Sequence, residues 1–160
     1  MDDIFYMNEA LNEAKLAAFE GEVPIGAVIV KDGKIIARAH NYTEKGKSAL
    51  YHSEIIAIKK ANEYINDFRL EDATMYVTKE PCTMCAGAIV NSRIKRVVVG
   101  LEDPQRGACG SHVDMVNDTN QLHRVDVTMG VLADESLDII QKFFKNLRKI
   151  QKTKKAQSEK

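Results

Sequence analysis

The sequence predicts an α/β fold, a mixed five-stranded sheet flanked by helices. Two strand-like runs near the N-terminus are joined by Asp32-Gly33, a dipeptide typical of a tight antiparallel hairpin. From about residue 66 onward, predicted strands alternate with predicted helices, which implies parallel strands joined by crossovers. A length of 160 residues allows one domain with a substantial core and is short for two.

The N-terminal half is predicted to contain a helix, the hairpin and a second helix. Apolar residues at steps of three and four predict an amphipathic first helix, which Gly21 ends. These apolar residues are Ile4, Met7, Leu11, Ala14 and Ala18. In the second helix, after a polar loop, Ile55, Ile58 and Ile65 are expected to face inward. The strands are expected over 23–30 and 34–39, and the second helix over 52–65.

The C-terminal half is predicted to contain three strands, of which the second, centred on Val97-Val98-Val99, should be buried on both faces. A short helix follows the first of these strands, with Pro81 in its first turn, where the missing N–H of proline costs nothing. An irregular stretch and a weaker short helix precede the last strand. The strands are expected over 74–78, 96–100 and 125–128. A final helix is expected from about 132 to beyond 150, and its apolar stripe contains Leu137, Ile140, Phe144 and Leu147.

The charge of the chain is balanced in total but not in distribution. Hydrophobic residues at 44% and charged residues at 29% are typical of a globular protein and exclude the disordered and collagenous classes. The formal net charge is zero, yet residues 142–160 carry eight basic side chains and one acidic one. An acidic body with a basic C-terminus favours an anionic partner such as nucleic acid, and a solubilising tail is the alternative. We expect a single domain over 1–150 and a basic, disordered tail over 151–160.

The N-terminus and the cysteines indicate a cytoplasmic protein. Met1-Asp2-Asp3-Ile4 lacks the basic and apolar regions of a signal peptide. No apolar run approaches the roughly 18 residues of a membrane span. Three cysteines are an odd number, and the C-x-x-C spacing of Cys82 and Cys85 indicates reduced thiols that serve a metal or redox chemistry.

The most informative residues are His52 and Glu54, followed further on by Cys82 and Cys85. One imidazole and two thiolates suit Zn²⁺ and leave the fourth tetrahedral position open, as in catalytic sites. Cys82 and Cys85 share one helix face, where the helix dipole favours thiolates. Because Glu54 lies beside the ligands, it is suited to move protons in a hydrolytic reaction. The sequence therefore predicts one catalytic zinc ion per subunit.

This pattern, H-x-E followed by P-C-x-x-C behind a strand, resembles that of the bacterial tRNA-specific adenosine deaminases, in the cytidine deaminase superfamily. The resemblance covers nearly the whole chain. Its most specific parts are Tyr76-Val77-Thr78, the segment from Glu80 to Gly87, and Ser92-Arg93-Ile94. It implies a three-layer cytidine-deaminase fold, a homodimer with composite active sites, and hydrolytic conversion of the wobble adenosine of a tRNA anticodon to inosine.

The resemblance also implies a role for individual residues. His52, Cys82 and Cys85 would bind the metal, and Glu54 would shuttle protons. The implied substrate-binding residues are Asn41, which would hydrogen-bond the target nucleoside, Val23 and Pro24, which would shape the pocket, and Asp103, which would lie near the RNA backbone. A basic stripe on the last helix would add RNA backbone contacts through Lys142, Lys145, Lys149 and Lys152. Cys109 lies outside the motif and is expected in a loop or the core.

One segment departs from the family pattern. Residues 48–51 read Ser-Ala-Leu-Tyr where the family usually has Asp or Gln followed by Pro-Thr-Ala. The change places Tyr51 near the expected pocket rim, where it bears on the substrate preference. A deaminase of free purine bases or nucleosides is therefore one alternative. A non-catalytic, zinc-stabilised RNA-binding module is a second. Glu54 argues against that second alternative, because a structural zinc site needs no acid beside an open position.

Overall fold

Residues 2–159 are described by the computed structural model, in which they form five strands and five helices. The strands are β1 Gly26–Lys31, β2 Lys34–His40, β3 Thr74–Lys79, β4 Arg96–Leu101 and β5 Asp126–Thr128. The helices are α1 Asp3–Phe19, α2 Thr43–Gly46, α3 Ser53–Ile65, α4 Thr83–Asn91 and α5 Ala133–Ser158.

The strands form one mixed sheet in the order β2-β1-β3-β4-β5. Strand β1 pairs antiparallel with β2 and β3, whereas β3, β4 and β5 run parallel. The β1–β2 hairpin turns at Asp32 and Gly33, whose φ angles of 51° and 73° are those of a type I′ turn. This arrangement confirms the predicted mixed five-stranded sheet.

The sheet separates two apolar layers, since alternate side chains of each strand point to opposite faces. Ile29, Met75 and Val97 belong to the larger layer, which buries the inner faces of α3 and α4. Val28, Tyr76 and Val98 point the other way and pack against the N-terminal half of α1. The triple valine of β4 is thus buried on both faces, as its sequence predicts.

The buried face of helix α1 differs in part from the predicted apolar stripe. Met7, Leu11 and Ala14 are buried, but Ile4 is 58% exposed and Ala18 only half-buried. The reason lies at Gly26, where an added Cβ would collide with the backbone of Ala10 and Ala14. Such a close approach of helix and strand needs alanine and glycine at the contact, so the buried face is rotated toward Tyr6, Ala10 and Ala17.

Two predicted elements differ in their bounds. Strand β1 begins at Gly26 rather than at residue 23, because Pro24 has no N–H to donate to a sheet. Across the described residues 111–125, the chain forms turns and bends instead of the expected short helix. Asp114 accepts a hydrogen bond from the backbone N–H three residues further on and Asp118 from the N–H two residues further on, which favours turns over a helix.

The C-terminal region departs furthest from the prediction. Helix α5 continues through Ser158, so the expected disordered tail over 151–160 is helical for most of its length, in keeping with its Lys, Gln and Ala content. Lys160 lies outside the described residues. Leu137 and Phe144 of the predicted apolar stripe are exposed, and Ile140 and Leu147 are only half-buried. Within residues 133–158, Ser136 alone is fully buried.

Despite its 26 residues, α5 is too polar to cross a lipid bilayer, and none of the other helices within residues 2–159 meets that requirement either.

Candidate active site

The N-termini of α3 and α4 bring three ligand-type side chains together. His52 is the N-cap residue of α3, Cys82 is the N-cap residue of α4, and Cys85 follows in the first turn of α4. The Nδ1 atom of His52 lies 3.7 Å from Sγ of Cys82 and 3.5 Å from Sγ of Cys85. All three ligand atoms lie within 4.8 Å of one another.

These separations fit a tetrahedral zinc site. Zinc bonds of about 2.0–2.1 Å to nitrogen and about 2.3 Å to sulfur, at the tetrahedral angle, place N and S about 3.6 Å apart. The two observed N–S distances, 3.5 and 3.7 Å, bracket that value. One imidazole and two sulfurs also form the donor set that zinc prefers. His52, Cys82 and Cys85 would therefore hold the ion and leave its fourth position to the cavity.

The electrostatics of this cluster favour a thiolate. A hydrogen bond from Cys85, supported by one from His52, lowers the pKa of Cys82 to about 3. The same bond to Cys82, together with burial, raises the pKa of Cys85 above its ordinary range. The hydrogen bond with Cys82 also raises the pKa of His52. A preformed thiolate next to a second thiol is a suitable precursor of a metal site, because cations bind the deprotonated sulfur.

Glu54 lies in the first turn of α3 and is almost fully buried. Burial raises the pKa of its carboxyl group, because the charged form is poorly solvated there. The Ser53 hydroxyl donates a 2.7 Å hydrogen bond to Oε1 of Glu54. The hydrogen bond thus orients the carboxyl group, which is suited to accept and return a proton.

A cavity of about 240 Å³ opens over this cluster. Its lining contains most of the residues predicted for the site, namely Val23, Asn41, His52, Glu54, Cys82 and Asp103. Pro24 is buried next to Val23 and does not line the cavity. Oδ1 of Asn41 accepts a 2.8 Å hydrogen bond from the N–H of Ser53, which leaves the side-chain NH₂ of Asn41 to donate to a bound molecule.

The unusual segment 48–51 does not place its tyrosine in this cavity. The Tyr51 ring packs on Tyr42, with ring centroids 6.4 Å apart, and the two rings enclose Gly46. Tyr51 lines a separate, shallow groove beside Ile55 on the outer side of α3. The cavity wall next to Glu54 is therefore formed without the substituted tyrosine.

Two buried carboxylates shape the cavity and escaped the sequence analysis. Glu22 accepts hydrogen bonds from the N–H groups of Glu44 and Lys45, at 3.0 and 2.9 Å, and so fixes helix α2. Glu80 accepts hydrogen bonds from the loop after β4. In the sequence, these two buried acids are marked only by their position just before an apolar segment. Exposed acids occupy such positions equally often.

The loop after β4 is held by acids at both ends. Glu80 accepts hydrogen bonds from the N–H groups of Asp103, Cys109 and Ser111, at 3.1, 3.0 and 3.2 Å. Asp103 accepts bonds from the backbone of Gln105 and Arg106 and pairs with Lys79 at 3.3 Å. Although partial burial opposes it, the bond from the Arg106 N–H, with Lys79, lowers the pKa of Asp103.

The remaining predicted residues lie away from the cluster. Cys109 is buried in the loop after β4 and is not part of the His-Cys-Cys group. The four lysines of the predicted basic stripe are exposed on α5, and none of them lines the cavity. One of them, Lys142, forms an exposed ion pair with Asp138 at 2.8 Å.

Comparisons with known proteins agree with this geometry. The profile of the MafB19-like deaminase family matches residues 1–148. The tRNA-specific adenosine deaminase of Bacillus subtilis (strain 168) is 46% identical over 150 residues, which are 94% of this chain and 93% of that protein. The Rickettsia bellii (strain RML369-C) protein of the same name is 44% identical over 144 residues, 89% of this chain and 99% of the relative.

Two solved structures of deaminases are also similar to this chain. A structure from a study of A-to-I editing by tRNA:A34 deaminases at the wobble position of transfer RNA superposes with a TM-score of 0.82, at 44% identity, over 84% of this chain and 98% of the other. Guanine deaminase from Bacillus subtilis superposes with a TM-score of 0.61 at 36% identity, over 64% of this chain and 66% of the other.

Proposed function

This chain belongs to the MafB19-like deaminase family and to the tRNA-specific adenosine deaminases, and we propose that it converts adenosine to inosine at the wobble position of a tRNA anticodon. The observation that carries the proposal is the buried Glu54 carboxyl group beside the His52, Cys82 and Cys85 cluster, in one cavity with Asn41. These groups provide what hydrolytic removal of an amino group from a purine ring requires.

The metal has a single task in this proposal. His52, Cys82 and Cys85 would hold one Zn²⁺ per subunit, which would supply the Lewis acidity that makes water reactive toward C6 of adenine. All other steps are carried out by side chains of the protein.

Glu54 moves the protons. Its carboxylate takes the two protons of the attacking water in turn and delivers the first to the ring nitrogen N1 and the second to the departing amino group, so that water and adenosine yield inosine and ammonia. The hydrogen bond from Ser53 keeps the carboxyl group directed at the reacting atoms. Asn41 donates its free NH₂ to the nucleoside, and Val23 supplies an apolar wall.

The buried position of Glu54 is compatible with an unpaired RNA loop as the substrate. A base must leave its stack to reach a buried carboxyl group, so an unpaired anticodon loop is the expected target. Asp103, at the cavity rim, lies near the RNA backbone in this proposal. The exposed lysines of α5, namely Lys142, Lys145, Lys149 and Lys152, add attraction for the phosphates. The resemblance to the family further suggests a homodimer that acts on tRNA in the cytoplasm.

A deaminase of free purines is the second candidate, because guanine deaminase from Bacillus subtilis shares 36% identity with this chain. A non-catalytic zinc-stabilised RNA-binding module is the third. A panel of tRNA, adenosine, adenine, guanine and cytidine separates the three, with ammonia release and A-to-G changes in reverse transcripts as readouts. We expect inosine in tRNA at the wobble position. Activity on free purines with silent tRNA would establish the second candidate, and full zinc content with no ammonia from any substrate would establish the third.

A further inference from the structure

The cavity over the His-Cys-Cys cluster is one of two adjacent chambers. A second cavity, of about 340 Å³, is lined by Ala49, Thr83, Met84 and His112. It shares His52, Cys82 and Arg106 with the first cavity. Because the same side chains line both, the two chambers meet at a common wall next to the metal-ligand cluster. The site is therefore larger than one purine ring requires.

Arg106 is the cationic side chain on that common wall. Its guanidinium group is exposed and forms no ion pair or hydrogen bond within residues 2–159. Lys79, the other cation that lines the first chamber, is already paired with Asp103 at 3.3 Å. Arg106 is thus the cation of this wall that remains available to an anionic ligand.

The backbone around Arg106 is fixed before any ligand binds. The N–H of Arg106 donates to Oδ1 of Asp103 at 3.1 Å, and the N–H of Asp103 donates to the buried Glu80 at 3.1 Å. Gly107 follows with its backbone against the Glu80 carboxyl group, where a Cβ would collide. A guanidinium group on such a braced loop is well suited to a phosphate, whose oxygens match its planar set of donors.

We propose that Arg106 binds a phosphate that joins the target nucleotide to its neighbour, and that the second chamber holds this neighbouring nucleotide. The target base lies in the first chamber beside Glu54, and the chain crosses the common wall at Arg106. Met84 and His112 offer a thioether and an imidazole against which the neighbouring base packs. Arg106 thereby selects a polynucleotide over a free nucleoside. This inference rests on the proposed function and specifies its substrate.

Arg106→Gln tests the contact, because glutamine keeps a polar planar group and removes the charge. The substrate is an anticodon stem-loop RNA with a neutral methylphosphonate at either phosphate that flanks the target adenosine. We expect Arg106→Gln to raise KM about tenfold on the unmodified RNA, with kcat within about twofold. The negative slope of log(kcat/KM) against log salt should become shallower by about 0.7, the value for one phosphate contact on a single strand.

The decisive result is the coupling between the variant and the modified RNA. At one of the two phosphates, the methylphosphonate should raise KM for the wild type about tenfold and for Arg106→Gln by less than about twofold, because the contact is already lost. Arg106→Lys should recover part of the affinity. Arg69→Gln, at an exposed arginine outside both chambers, is the matched control and should behave as the wild type.

The outcomes separate this inference from the function it rests on. Additive effects of the variant and the methylphosphonate at both positions, while the wild type forms inosine in the stem-loop, would overturn the role of Arg106 and leave the proposed function standing. A wild type that forms no inosine in any RNA would overturn the proposed function itself.

Discussion

Helices α4 and α5 contribute to the same proposed reaction and are stabilised in opposite ways. Helix α4 has nine residues, four of them buried, and its first turn fixes the two cysteine sulfurs near His52. Helix α5 has 26 residues, and among those described Ser136 alone is buried. Bond formation depends on positions within tenths of an ångström, whereas attraction to phosphates depends mainly on charge. Tight packing is therefore concentrated where chemistry takes place, and α5 can remain exposed.

The largest effect is expected at Glu54. Glu54→Gln keeps the shape and the buried position of the side chain but removes the proton carrier, so kcat should fall by a factor on the order of 10²–10⁴. Zinc content, measured by metal analysis, should stay at that of the wild type, because the three ligands are unchanged. Glu54→Asp should also be strongly impaired, since it keeps the charge and moves the carboxylate by one methylene.

Glu63→Gln provides the control for Glu54, because Glu63 is an exposed acid on the same helix and does not line the first cavity. It should retain normal turnover. Near-normal activity of zinc-replete Glu54→Gln would show that another group transfers the protons.

The two helices also differ in how far the sequence predicts them. The starts of α3 and α4 follow from local spacing, since an N-cap residue and a neighbour three positions later lie on one face. This spacing places Cys82 and Cys85 side by side, and His52 joins them because the N-termini of α3 and α4 lie close together in the fold. For α5, periodicity predicts the helix, but the burial of Leu137 and Phe144 depends on whether a partner covers them, and both are exposed.

The supporting residues of the site were beyond sequence reasoning for a different reason. Glu80 accepts hydrogen bonds from backbone N–H groups 23, 29 and 31 residues further along the chain. Every residue except proline offers such a donor, so no side-chain pattern marks the partner. The sequence does not mark Arg106 either, because its proposed role depends on its position in the wall between the two chambers.

A smaller effect is expected from the lysines of α5. Replacing Lys142, Lys145, Lys149 and Lys152 by glutamine should weaken tRNA binding about tenfold or more at low salt, because each neutralised phosphate contact releases counterions. The slope of log affinity against log salt should become shallower by up to about 3. Lys142 should contribute least, because it is already paired with Asp138.

The same four positions changed to arginine are the matched control for α5. Arginine keeps the charge in a different shape, so binding should be retained, in contrast to the loss expected for Glu54→Asp in the tightly packed site. Unchanged affinity and salt dependence in the glutamine variant would show that α5 takes no part in binding RNA.

The smallest effect is expected at Asp3, which links α1 to the sheet away from the cavity. Its carboxylate accepts two hydrogen bonds from Arg96, at 2.9 and 2.8 Å, and the pKa of Asp3 is lowered chiefly by them. A carboxyl group with a lowered folded-state pKa stabilises the fold above its unfolded pKa, near 3.9, and loses this contribution as the pH falls through the folded value.

Asp3→Asn should therefore reduce the free energy of unfolding by about 1 kcal/mol at neutral pH, a modest value because the pair is partly solvent-exposed. In urea titrations the difference from the wild type should be constant between about pH 7 and pH 5 and smaller near pH 3. Since Asp3 does not line either chamber, kcat and KM should not change. A variant that lost stability and turnover together would show that packing at this end of the sheet also positions Glu54 and its neighbours.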